Sequence, residues 1–275
     1  MAHTRKPKNH NPLQAVILVV LVVAILVGMV FVLRKNGRST MDASAIQEGL
    51  DFLTQLEQKN PDSVRQARQA LYVRRMEAQK EELVAKLESG EVDPFSLFQD
   101  YVVMGDSRSV GFWYRDFLEQ DRVLADGGNI IRNIPGWYEQ LEEMNPSYIF
   151  LCYGLNDCSI GFWTTGEEYA EEYMTYARKL REMLPDCTII ISSILPAQDP
   201  AFEKSSRWRR IPEWNEQLKK YCEEEGFLFA DCDWIYEEHP DLWDIDGIHF
   251  KEPLYPHWGS ELIITALYGG ITNET

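Results

Sequence analysis

Three short stretches of this chain carry residues capable of acyl chemistry, the first two at the ends of apolar runs. In the first, Tyr101-Val102-Val103-Met104 breaks into Gly105-Asp106-Ser107-Arg108. A serine there is a nucleophile if a base reaches it and a helix cap if none does. In the second, an apolar run over 148–153 enters Gly154-Leu155-Asn156-Asp157. The Asn156 amide can donate to an oxyanion without carrying charge, or close an Asx turn. In the third, Asp246 stands three residues before His249 in Asp244-Ile245-Asp246-Gly247-Ile248-His249. A turn of that length lets Asp246 hold one imidazole nitrogen while the other faces Ser107, so that His249 acts as general base. Each stretch alone reads as a turn or a cap; together they have the parts of a serine acyl-transfer site.

The elements that must position these residues follow from hydrophobic patterning. Apolar runs at 101–104, 123–125, 148–153, 188–194 and 227–230 alternate with helical stretches near 136–144, 167–183 and 211–225, and a last helix is expected over 258–268. Such alternation predicts an α/β fold, a parallel five-stranded sheet covered by helices on both faces. Open sheets of this kind carry their chemistry at the carboxyl ends of the strands, where the first two stretches fall.

The blocks Gly105-Asp106-Ser107, Gly154 to Asp157 and Asp246 to His249 resemble, in order, those of the SGNH hydrolase superfamily, also called GDSL-type esterases. The resemblance covers about 95–270, with arginine at 108 in place of the usual leucine. It implies a three-layer α/β/α sandwich and a serine esterase in which Ser107, His249 and Asp246 form the triad. It also implies an oxyanion hole of the Ser107 and Gly128 backbone amides with the Asn156 side chain. Gly127 competes with Gly128 for the second block. No metal or organic cofactor is implied.

Ahead of this domain, expected over 93–275, the chain changes character twice. A basic tail, 1–12, precedes an unbroken apolar run within 13–33, about the roughly 20 residues a helix needs to cross a bilayer. This predicts a retained signal anchor; a cleaved signal peptide normally has a shorter apolar region and a small-residue cleavage site. Arg34, Lys35 and Arg38 balance Arg5, Lys6 and Lys8, so charge does not settle orientation. The family resemblance favours an extracytoplasmic domain. Residues 41–92 are rich in helix formers, broken at Asn60-Pro61-Asp62-Ser63. Two helices are expected, with apolar stripes Ile46, Leu50, Leu53, Leu56 and Val64, Ala67, Leu71, Leu83, Leu87. They form a stalk or docking hairpin, or a surface for self-association.

Composition narrows the function classes. With 275 residues and 45% hydrophobic content the chain can bury a sizeable core, and a formal charge of -17 argues against a nucleic-acid partner. Five unpatterned cysteines read as buried hydrophobes rather than a zinc site or disulfide framework; a Cys152 to Cys158 bridge has no support from spacing. Trp113 and Trp163 follow the first and third blocks in segments that can line the cleft, either as core or cleft wall or as faces for sugar rings, and they are the candidate substrate-binding aromatics. Arg108 is expected to face the cleft and favour an anionic or strongly polar substrate. The basic cluster Arg207-Trp208-Arg209-Arg210 either steers an anionic polymer or is a solvated helix start. Tether and resemblance together predict a membrane-anchored extracytoplasmic serine esterase removing small acyl groups, above all acetyl, from cell-envelope carbohydrate or related polymers. The alternatives are an O-acyltransferase using the same triad and a non-catalytic envelope-binding scaffold.

Overall fold

The computed structural model describes residues 43–57 and 61–271. The chain divides into two compact units, Met1–Arg68 and Gln69–Thr275. Among the described residues no helix is long and apolar enough to cross a membrane; the expected anchor, 13–33, lies outside them. Helix α1, Ala43–Glu57, and helix α2, Pro61–Glu88, account for the two helices expected over 41–92. Pro61 opens α2, where its missing N–H costs nothing. On α1, Ile46 and Leu50 are exposed. On α2 the expected stripe is displaced: Leu71 is exposed, and Val73 is buried with Met76, Leu83, Val84 and Leu87 partly covered. Steps of three, four and seven keep these last residues on one helical face, and Leu71 falls off it.

The second unit is an α/β sandwich. Its strands are β1 Tyr101–Gly105, β2 Val123–Ala125, β3 Tyr148–Cys152, β4 Thr188–Ser192 and β5 Leu228–Ala230. They form one parallel sheet in the order β2-β1-β3-β4-β5. β-Branched and aromatic residues alternate across it. Val102, Met104, Ile149, Leu151 and Ile191 pack under one layer of helices with Tyr169, Tyr173, Trp214 and Leu218. Val103, Phe150 and Ile190 pack on the other side with Phe112, Tyr255, Trp258 and Leu262. Burial on both faces explains why the strands read as continuous apolar runs.

The connecting helices are α3 Ser107–Tyr114, α4 Tyr138–Met144, α5 Leu155–Ile160, α6 Gly166–Met183, α7 Asp199–Phe202, α8 Ile211–Glu225, α9 Asp233–Glu238 and α10 Leu254–Tyr268. α10 begins four residues before its expected start, because Pro256 lies in the first turn, where a helix tolerates the missing donor. The strand order reverses between β1 and β3, and the crevice outside their carboxyl ends is where open α/β sheets bind ligands. Ser107 follows β1 and Asn156 follows β3. All five cysteines are free thiols, so Cys152 and Cys158 are not bridged. Burial pushes the Cys158 and Cys222 thiols up to about 12.

Candidate active site

Ser107 is the first residue of α3 and is half-buried. The turn delivering it is tight. A Cβ on Gly105 would lie 2.7 Å from the Cys152 carbonyl oxygen and 2.1 Å from Ser109 Oγ, so only glycine fits. Asp106 caps the helix: its Oδ1 accepts the Arg108 N–H at 2.9 Å. Burial raises the Asp106 pKa, against the pull of the Arg108 cation and N–H and of His249.

The histidine arrives on a short hairpin. Trp243 bridges to Phe250, the Asp244 N–H donates to the His249 carbonyl at 2.8 Å, and Gly247 turns the chain at φ 69°. Inside the turn, Asp246 Oδ1 accepts the backbone N–H groups of Ile248 at 2.8 Å and His249 at 2.9 Å. Its other oxygen, Oδ2, lies 2.6 Å from His249 Nδ1, and His249 Nε2 lies 3.1 Å from Ser107 Oγ. Burial would raise the Asp246 pKa, but these bonds and the His249 imidazole together lower it to about 2. A carboxylate ionised at neutral pH thus faces Nδ1. It favours the tautomer that carries its proton on Nδ1 and leaves Nε2 free to accept from the serine.

Two asparagines tie the neighbouring loops to this pair. Asn129, after β2, donates from Nδ2 to the Gly105 carbonyl at 3.4 Å. Asn156, after β3, donates from Nδ2 to the Asn129 carbonyl at 3.0 Å. One of the two amide hydrogens of Asn156 is so engaged, and the second has no partner among the described residues. Gly128 lies exposed between these elements at φ 82°, a left-handed conformation that disfavours other residues. Asn129 was not singled out from the sequence; an amide directly after two glycines at a strand end was the available signal. Gly154 turns the chain at φ 134°, and a Cβ there would lie 2.3 Å from Ile194 Cγ1. Asp157 is fully buried, accepts the Ile131 N–H at 2.9 Å, and has its pKa raised by burial to about 8.

Two residues expected at the cleft are elsewhere. Arg108 is 3% exposed, and its guanidinium points inward onto backbone carbonyls rather than toward substrate. Trp163 is also 3% exposed; its indole N–H donates to Glu172 Oε2 at 2.8 Å and its ring packs edge-on to Tyr169. Neither has a face free for a sugar. Trp113 is half-buried on α3, edge-on to Tyr114. In the basic cluster, Arg209 pairs with Asp199 and Arg210 with Glu213, whereas the Arg207 side chain lies exposed over Gly161.

This arrangement can move a serine proton to an imidazole beside a polarisable amide, which is the chemistry of ester cleavage. A sequence profile of the GDSL-like lipase/acylhydrolase family matches residues 98–255, more than half of the chain. The chain belongs to that family. It is a serine ester hydrolase.

Solved structures with the same fold include a Bacteroides fragilis protein assigned as an acylhydrolase, with a TM-score of 0.51 at 18% identity over 62% of this chain and 88% of that one. A lipase/acylhydrolase from Enterococcus faecalis gives 0.50 at 17% identity, over 64% of this chain and all of its own. A GDSL-like lipase from Bacteroides thetaiotaomicron gives 0.50 at 16%, over 63% and 93%. No curated protein matches this GDSL-like hydrolase.

Proposed function

We propose that this GDSL-like hydrolase is a membrane-anchored, extracytoplasmic esterase that removes small acyl groups, acetyl foremost, from cell-envelope carbohydrate or related polymers. The observation that carries the chemistry is the 3.1 Å contact between Ser107 Oγ and His249 Nε2, with Asp246 at 2.6 Å behind the ring. His249 takes the serine proton as Oγ attacks the ester carbonyl carbon. The carbonyl oxygen becomes an oxyanion that the Ser107 and Gly128 backbone amides and the Asn156 side chain receive. His249 then passes its proton to the departing alkoxide, leaving an acyl-serine. Water, deprotonated by the same imidazole, attacks that ester and frees the acid and the serine.

The substrate reading rests on the openness of the site. The His249 side chain is 47% exposed and the adjacent Ile245 stands out into solvent, which suits a bulky alcohol such as a polymer. The anchor reading rests on the apolar composition of 13–33, and the extracytoplasmic assignment on that tether with the family. Acetate release from a panel of envelope polymers by the full chain tests the proposal. Release by wild type and none by Ser107→Ala supports it; no release from any polymer or from a simple acetyl ester rejects it.

A further inference from the structure

Arg108, beside Ser107 in sequence, is bound to both neighbours of His249 in space. Its Nε donates to the Ile248 carbonyl at 2.8 Å, and its guanidinium carbon lies 4.7 Å from the centre of the Phe250 ring. The other two guanidinium nitrogens donate to the segment after β4, Nη1 to the Leu195 carbonyl and Nη2 to the Pro196 carbonyl at 3.2 Å. The main chain of Arg108 is held as well, its N–H by Asp106 and its carbonyl by the Tyr255 hydroxyl at 3.0 Å. One planar group thus joins the serine helix, the histidine hairpin and the loop after β4.

We propose that Arg108 is a positioning residue for proton transfer, fixing the His249 imidazole against Ser107 by gripping the backbone on one side of the histidine and the ring on the other. This rests on the esterase reading above. A planar fork with donors pointing in three directions suits three separate carbonyls; an ammonium on a flexible stem does not. Burial lowers the guanidinium pKa to about 10, with Asp106 pulling the other way, so the fork stays charged at neutral pH. A leucine at 108 would supply no donor, and three carbonyls would lose it.

The test is steady-state hydrolysis of neutral and anionic aryl acetates by the full chain carrying Arg108→Ala, Arg108→Lys or Phe250→Leu. For Arg108→Ala, kcat should fall about a hundredfold, the scale of an ångström-sized misplacement, with KM within about threefold for both esters. Added guanidinium ion should restore part of that kcat and added ammonium should not. Arg108→Lys should fall in between, and Phe250→Leu, which keeps every donor, should lower kcat several-fold. A folded Arg108→Ala with kcat within twofold of wild type overturns the proposal. So does a loss confined to KM for the anionic ester, which would return Arg108 to substrate contact. If neither arginine variant folds, unchanged kcat in Phe250→Leu overturns it. Inactivity of the wild type toward every ester would instead reject the esterase reading itself.

Discussion

Asp246 grips His249 twice, taking its backbone N–H on Oδ1 at 2.9 Å and facing its ring Nδ1 with Oδ2 at 2.6 Å. The same carboxylate therefore shapes the turn and selects the tautomer. Asparagine at 246 keeps an oxygen for the backbone but turns an NH2 toward Nδ1, which drives the ring proton to Nε2 and blocks the base. Asp246→Asn should lower kcat by about 10⁴-fold with little change in KM. Steady-state kinetics on a simple ester would show it, and a loss below tenfold would remove Asp246 from the mechanism. In the proposed mechanism the three residues act as a unit, so Ser107→Ala combined with His249→Ala should be no slower than either alone.

The asparagine relay makes an ordered claim. Asn156→Ala removes the proposed oxyanion donor and should cost about 10²–10³ in kcat. Asn129→Ala should cost much less, because Asn156 donates to the Asn129 backbone carbonyl, which that change leaves in place. Only the 3.4 Å bond to Gly105 is lost. Equal losses in the two variants would contradict this order and make the Asn129 side chain as important to the reaction as that of Asn156.

Buried Asp157 sets a pH dependence of stability. Its carboxyl titrates at about 8 in the fold against an ordinary 3.8, so between those values the native state keeps a proton that the unfolded chain releases. Stability from this group is full below about pH 4, falls as pH rises, and is lost above about pH 8. Asp106, also raised, adds a slope of the same sign, whereas Asp246, lowered to about 2, acts only in stronger acid. Urea unfolding from pH 5 to 8 should show falling stability in wild type and a shallower fall in Asp157→Asn. An unchanged slope in the variant would mean that Asp157 is ionised in the fold.

Trp163 holds the fold together rather than binding sugar. Trp163→Phe loses the bond to the Glu172 carboxylate and should cost about 1.5–3 kcal/mol of stability in denaturant unfolding. Its kcat and KM on an acetylated glycan should stay within twofold of wild type; a selective rise in KM for the glycan would restore the cleft role.

The sheet and the serine–histidine–aspartate geometry were legible in the sequence for different reasons. The strands are buried on both faces, so runs such as Tyr148 to Cys152 are apolar without interruption. Asp246 and His249 were legible because their contact is local, three residues apart. The role of Arg108 was not, because its partner carbonyls come from 87 and 140 residues along the chain. Trp163 is a different case: its partners lie only six and nine residues on, but a tryptophan near a motif reads equally as core, cleft wall or sugar platform until Tyr169 and Glu172 are seen to enclose it. On α2, Leu71 and Val73 are equally apolar, and only the covered side of the helix tells them apart.

The most direct test of the central claim is mass spectrometry of the full chain quenched during turnover of an acetyl ester. An acetyl group should be found on the peptide carrying Ser107, accumulating in the wild type and absent from Ser107→Ala. Turnover with the acetyl on another residue, or undiminished turnover in Ser107→Ala, would contradict it.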